Sequence, residues 1–225
     1  MIQGTRNWRN MKRLGYVQCR ADGDYGPNAA VEQMLAKHNA ATYQTPTSNR
    51  DNWLETCGSH TAANLTVAIH PDPQTWLEGF KVPGGALVRP PDVLTMWMNT
   101  PENAEDINAG AALDPAKMPS MANEYRALFP YCVRRVFGVE AEYHLSVGFA
   151  DAKSAVLAGY GVMLGLNIGH FIGAYAYDDA TDELIYVDPD PHFHIADGNW
   201  WAARMGQKEY SSTVSDSFVV FKGML

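Results

Sequence analysis

The spacing of apolar and polar positions changes period along this chain. From Cys57 to Ile69, apolar residues recur at Ala62, Leu65, Ala68 and Ile69, which puts them on one face of a helix. Pro71 and Pro73 end that helix. Pro91-Asp92 opens a second helical pattern over Val93–Asn99, and Met121–Phe129 carries a third. A fourth covers Asp151–Ala158, with Ala152, Ala155, Val156 and Leu157 as its packing face and Gly159 as its stop. Tyr131–Val139 reads equally as a strand or as a helix end. The character then shifts to strand. Val162–Leu166 is a continuous apolar run, Phe171–Tyr177 is rich in aromatic and β-branched residues, and Leu184–Val187 is a second short apolar run. Asp178-Asp179-Ala180-Thr181-Asp182 is a polar turn between the last two, so they predict an antiparallel hairpin. Ser217–Lys222 predicts a final strand. Helices come first and strands last, which predicts an α+β domain whose N-terminal helical part packs on a mostly antiparallel sheet.

Ahead of Cys57 the pattern is weaker. Residues 1–16 are polar and basic. Asp22-Gly23, Gly26-Pro27 and Asn28 are turn residues, and Asn28 caps an expected helix over Ala29–Asn39 with Val31, Met34 and Leu35 on its apolar face. Residues 40–56 have no period and form a loop leading to Cys57. Residues 70–92 are a Gly/Pro-rich connection, and 100–120 are loop-like. The expected organisation is an N-terminal segment over 1–44 and a main domain over 45–225, without internal repeats or low-complexity segments.

Composition narrows the function classes. With 225 residues, 46% hydrophobic and 19% charged, the chain can bury a sizeable core. A formal net charge of −8 argues against non-specific nucleic-acid binding. The local basic clusters are Arg134-Arg135 and the N-terminal Arg/Lys residues. Cys19, Cys57 and Cys132 are odd in number and widely spaced, which suits neither a disulfide framework nor a paired CxxC metal motif. No apolar stretch approaches a membrane span and the N-terminus lacks a secretory h-region. The expectation is synthesis in the cytoplasm without membrane insertion, so that a target outside the cell would need another delivery route.

The candidate chemistry lies at the hairpin. His170 opens its first strand and Asp188 closes its second, and in an antiparallel pair those two ends are neighbours. Asp188 can then orient the imidazole, which is the base-and-orienter half of a triad. The nucleophile is Cys57. It falls in the first turn of its helix, where the amides carry partial positive charge and favour thiolate. A helix-borne cysteine facing a strand-borne histidine is the papain-like arrangement. The Cys57 backbone N–H is one oxyanion donor, and a side-chain amide upstream would be the second. His60, one helical turn beyond Cys57, is a competing base. His192 and His194 are a two-histidine platform for a metal, but no further ligand follows at a recognisable spacing, and no metal or cofactor is expected. Asp22, Gly23 and Asp24 lack the rest of a calcium loop. Trp53, Trp76, Trp97, Trp200 and Trp201 read as core or rim residues, with one or two available at a cleft edge to stack on sugar or peptide.

Four segments carry a family resemblance. Asn49-Arg50-Asp51-Asn52 followed by Thr56-Cys57-Gly58-Ser59-His60-Thr61-Ala62-Ala63 resembles the nucleophile segment of C39-like cysteine peptidases, papain-like enzymes, and within them the phage endolysin-like members. Gly161–Gly165 with Gly169-His170-Phe171-Ile172, Tyr175-Ala176-Tyr177-Asp178-Asp179, and Val187-Asp188-Pro189 match the family's later segments in order. Tyr210-Ser211 after Trp201 is similar to its C-terminal end. The resemblance implies Cys57 as nucleophile, His170 as base and Asp188 as orienter. The family's oxyanion glutamine corresponds to Asn49, one methylene shorter, and Asn52 is the alternative closer to the cysteine. Separately, Leu14–Val31 resembles half of a peptidoglycan-binding repeat, and reads equally as a turn and short helix packed on the main body. The implied function is cleavage of amide bonds in bacterial peptidoglycan, as endopeptidase or amidase, acting at the cell wall after release through a holin. Two other readings stand beside it: a processing or self-processing peptidase with residues 1–44 as a prosegment, and a non-catalytic cell-wall-binding or virion protein on a hydrolase fold.

Overall fold

A computed structural model describes residues 1–16, 57–81, 88–98, 103, 107, 121–190 and 199–225. Its centre is helix α2, Cys57–Ile69, all of whose 13 residues are buried. The sequence predicts one apolar face, but the helix is enclosed on every side. Sheet lies beneath it, and the N-terminal arm and two further helices surround it. Its polar residues are accordingly bonded rather than solvated: Thr61 Oγ1 donates to the Phe171 carbonyl at 3.0 Å and Thr66 Oγ1 to the Ala62 carbonyl at 2.9 Å.

The arm comprises β1, Ile2–Gly4, a 3₁₀ turn over Trp8–Asn10, and α1, Met11–Leu14. β1 is a strand that the polar run at the N-terminus does not announce. After α2 come α3, Pro73–Glu78, and α4, Pro90–Met98. Pro73 therefore occupies the first turn of α3, where its missing N–H costs nothing, and Asp72 caps that helix through the Gln74 and Thr75 amides. α5 runs unbroken over Met121–Phe137 through Pro130, which settles the Tyr131–Val139 ambiguity as helix followed by strand β2, Val139–Leu145. Then follow α6, Phe149–Leu157; β3, Gly161–Leu166; β4, His170–Asp178; β5, Glu183–Val187; β6, Ala203–Gly206; α7, Gln207–Thr213; and β7, Val214–Met224. The expected helix over Ala29–Asn39 lies outside the described residues.

Among the described residues the strands form one seven-stranded sheet in the order β2-β7-β3-β4-β5-β6, with β1 paired to the far end of β4. Every pairing in it is antiparallel. The architecture is α+β as expected, with one addition: helices cover both faces. On one side α2, α4 and α5 pack against Met163, Phe171, Tyr175, Val187, Val219 and Phe221. On the other, α6 and α7 pack against Val162, Leu164, Ile172, Ala174 and Val220. Strands β3 and β4 are thus apolar at nearly every position because neither face meets water. A register shift at Ala174/Ala176 in β4 places both Tyr175 and Ala176 on the α2 side. Arg126 of α5 reaches β7, donating to Ser215 Oγ, and to Ser217 Oγ at 2.7 Å and the Ser217 carbonyl at 3.2 Å. No helix among the described residues is long and apolar enough to cross a membrane.

Candidate active site

Cys57 is the first residue of α2, so its side chain stands where the helix meets the end of the sheet. Two contacts fix that end. Thr61, one turn on, is bonded to the backbone of β4 next to His170. Gly58 allows the close approach: a Cβ there would lie 2.6 Å from Phe129 Cζ, and Phe129 meets the Phe171 ring edge-on with centroids 5.8 Å apart.

His170 is the first residue of β4, after the turn that leaves β3. Gly173 pairs with Val187, so Asp188, the residue after β5, comes alongside the start of β4. His170 Nε2 lies 2.7 Å from Asp188 Oδ1. The same oxygen accepts the Asp190 amide at 2.9 Å, and the Asp188 amide donates to the Trp200 carbonyl at 2.7 Å. The Cys57 side chain is hydrogen-bonded to the same imidazole. Cys57, His170 and Asp188 are 7%, 8% and 3% exposed. Burial works against a charged imidazole here, but the hydrogen bonds to Asp188 and to Cys57, with their charges, outweigh it and push His170 up to about 9. At neutral pH the ring is therefore held as a cation between a carboxylate and the cysteine sulfur.

The other sequence-predicted residues are distributed differently. His60 is buried in α2 with Nε2 3.2 Å from Arg89 Nη2, so its ring is turned to the segment that enters α4. Asn49, Asn52, His192, His194, Cys19 and Trp53 lie outside the described residues. Cys132 is buried in the α5 core. Trp76 and Trp97 are core residues, while Trp200 and Trp201 are half-buried beside the N-terminal arm. Among the described residues no cluster of three or more His, Cys, Asp or Glu side chains is arranged to hold a metal ion. The Trp200 carbonyl, which accepts the Asp188 amide, and Tyr175, whose hydroxyl donates to the Trp201 carbonyl, are not flagged by any spacing. Their contacts pass through backbone atoms that every residue carries.

The arrangement can take a proton from a thiol, hold it, and return it to a leaving group, with the carboxylate fixing the ring. The first amides of a helix have no intrahelical acceptor, and Cys57 stands at that end of α2.

No family model matches the chain, and no curated protein matches it. Among solved structures it is similar to the peptidase domain of Streptococcus ComA, a bifunctional ABC transporter involved in a quorum sensing pathway. The identity is 10%, the overlap covers 76% of this chain and 93% of that one, and the TM-score is 0.40. A superposition that loose assigns no role to any residue of this chain.

Proposed function

We propose that this chain is a papain-like, C39-like cysteine hydrolase of amide bonds. The observation that carries the reading is the imidazole of His170, bonded to Asp188 at 2.7 Å and to Cys57 at the start of α2. In the proposed reaction the Cys57 sulfur attacks the amide carbonyl. His170 holds the thiol proton and delivers it to the departing amine nitrogen as the C–N bond breaks. Water, deprotonated by the same ring, then cleaves the thioester and restores the thiol. The Cys57 amide at the helix start is one donor to the oxyanion, and Asn49 or Asn52 is the expected second.

Peptidoglycan as substrate rests on the endolysin-like segments and the Leu14–Val31 motif. The test is cell-wall clearing by wild type and Cys57→Ala, with mass spectrometry of released fragments. Wild type is expected to release new amine-ended fragments that name the bond, and Cys57→Ala to release none. Equal clearing by both would remove Cys57 from the chemistry. Inactivity of both would remove the wall as substrate. The self-processing reading has less support, because residues 1–16 are built into the domain. β1 pairs with β4, and Asn7 Nδ2 donates to the Val67 and His70 carbonyls at 2.9 and 2.6 Å, closing the end of α2.

A further inference from the structure

What holds Asp188 is a corner of chain remote from it in sequence. The Asp188 amide donates to the Trp200 carbonyl at 2.7 Å. The next carbonyl, that of Trp201, accepts the Tyr175 hydroxyl. Tyr175 is 1% exposed and stands on β4, the strand that begins with His170. Strand alternation puts it on the α2 side, the face that Phe171 and Gly173 share. One strand therefore carries both the imidazole and the anchor of the segment that bonds its carboxylate partner.

The corner is also packed from outside by the N-terminal arm. A Cβ on Gly15 would lie 2.8 Å from the Met11 carbonyl and 3.1 Å from the Trp200 ring, and Lys12 Nζ sits 5.6 Å from the centre of the Trp201 ring. The arm is fixed in turn to the helix that bears Cys57. The Tyr16 amide donates to Asn64 Oδ1 at 2.6 Å and Asn64 Nδ2 to the Tyr16 carbonyl at 3.0 Å, both with Asn64 fully buried in α2. The contacts close a circuit: Cys57 on α2, the arm, the Trp200–Trp201 corner, Asp188, His170, and back to Cys57.

We propose that Tyr175 and Gly15 are positioning residues for the triad, acting together through the Trp200–Trp201 corner to fix the Asp188 carboxylate against His170. The proposal rests on the cysteine-hydrolase reading. It gives the N-terminal arm a part in the site: a brace for its carboxylate. A fixed carboxylate matters because a displaced one loses its hydrogen bond and most of its hold on the ring's charge.

The test needs no substrate. The rate at which iodoacetamide alkylates Cys57 is measured against pH on the full chain. It is read by mass spectrometry on the Cys57 peptide, so that Cys19 and Cys132 do not contribute. Among the described residues, Cys57 and Asp188 are the charged groups that act on the ring, and the wild-type profile is expected to contain a step from His170 that His170→Ala removes. Tyr175→Phe and Gly15→Val disturb the corner from opposite sides, and circular dichroism identifies which variants stay folded. In a folded variant the step is expected to move down by roughly one pH unit, the scale of a weakened charge-assisted bond. Either change added to Asp188→Ala is expected to move it no further than Asp188→Ala alone. A folded Tyr175→Phe or Gly15→Val with the wild-type profile, or one merely less stable, overturns the positioning role and leaves the hydrolase reading standing. A wild-type profile identical to that of His170→Ala overturns both.

Discussion

Gly58 shows how much of the candidate site depends on a single missing methyl group. It is next to the nucleophile and faces Phe129, with 2.6 Å between a would-be Cβ and the ring edge. The ring is at the bottom of a packed core, fully buried and held by Phe171. Gly58→Ala must therefore push Phe129 or lift the start of α2, and overpacking of this kind costs about 1–3 kcal/mol. The expected result is a lowered midpoint in chemical denaturation. Slower Cys57 alkylation at neutral pH should accompany it, because a lifted helix start takes the sulfur away from His170. An unchanged midpoint would mean that the core at Phe129 yields more readily than its burial suggests.

At the scale of elements, α2 is the part on which others depend. It is buried along its whole length, so its terminal carbonyls cannot turn to water and need partners from elsewhere. Asn7 supplies its side-chain amide to the Val67 carbonyl and to that of His70, the half-buried residue after the helix. Asn7→Ala is expected to cost about 1–3 kcal/mol by equilibrium unfolding, since it leaves the buried Val67 carbonyl without that donor. A smaller loss would show that the chain end there opens to solvent. Arg126 presents the opposite case. Its guanidinium is 4% exposed and bonded to serine hydroxyls and a carbonyl rather than to a carboxylate, and burial lowers its pKa. Gly165 lies against it so closely that a Cβ would be 2.5 Å from its guanidinium carbon. Its buried Nε has no hydrogen-bond partner among the described residues, and a buried cation bonded to neutral groups contributes little net stability. Arg126→Met is accordingly expected to change stability by less than about 1 kcal/mol or to raise it. A large loss would identify the α5–β7 strut as essential.

At the scale of the whole molecule, the His170 site couples protonation to folding. Its folded-state pKa of about 9 lies above the ordinary histidine value of 6.5. The folded chain thus binds a proton more tightly than the unfolded chain does. The stabilisation is fully present below pH 6.5 and is lost as pH rises through about 9. Comparing urea midpoints of wild type and His170→Ala across that window should reveal a gap that narrows as pH rises. A gap constant from pH 6 to 10 would mean that the imidazole is not held charged.

The sequence by itself determined the elements whose period is strong: helix α2 from Cys57 to Ile69, the continuous apolar run of β3, and the β4–β5 hairpin with its polar turn. It also put His170 and Asp188 together, because neighbouring ends follow from hairpin connectivity alone. Periods were silent where neighbours rather than local pattern decide. β1 is a three-residue strand that exists only because the end of β4 offers it an edge. α5 continues through Pro130 because its packed face outweighs the proline's preference for ending a helix. A one-sided period for α2 cannot reveal enclosure on every side, since Thr61, Asn64 and Thr66 look polar until their partners are known. Only tertiary structure decided between His170 and His60 as the partner of Cys57, with His60 turned to Arg89, and brought the Asp188 amide to the Trp200 carbonyl and the Tyr175 hydroxyl to that of Trp201. Those are contacts between segments far apart in sequence, made in part through backbone carbonyls, and no residue type or spacing encodes them.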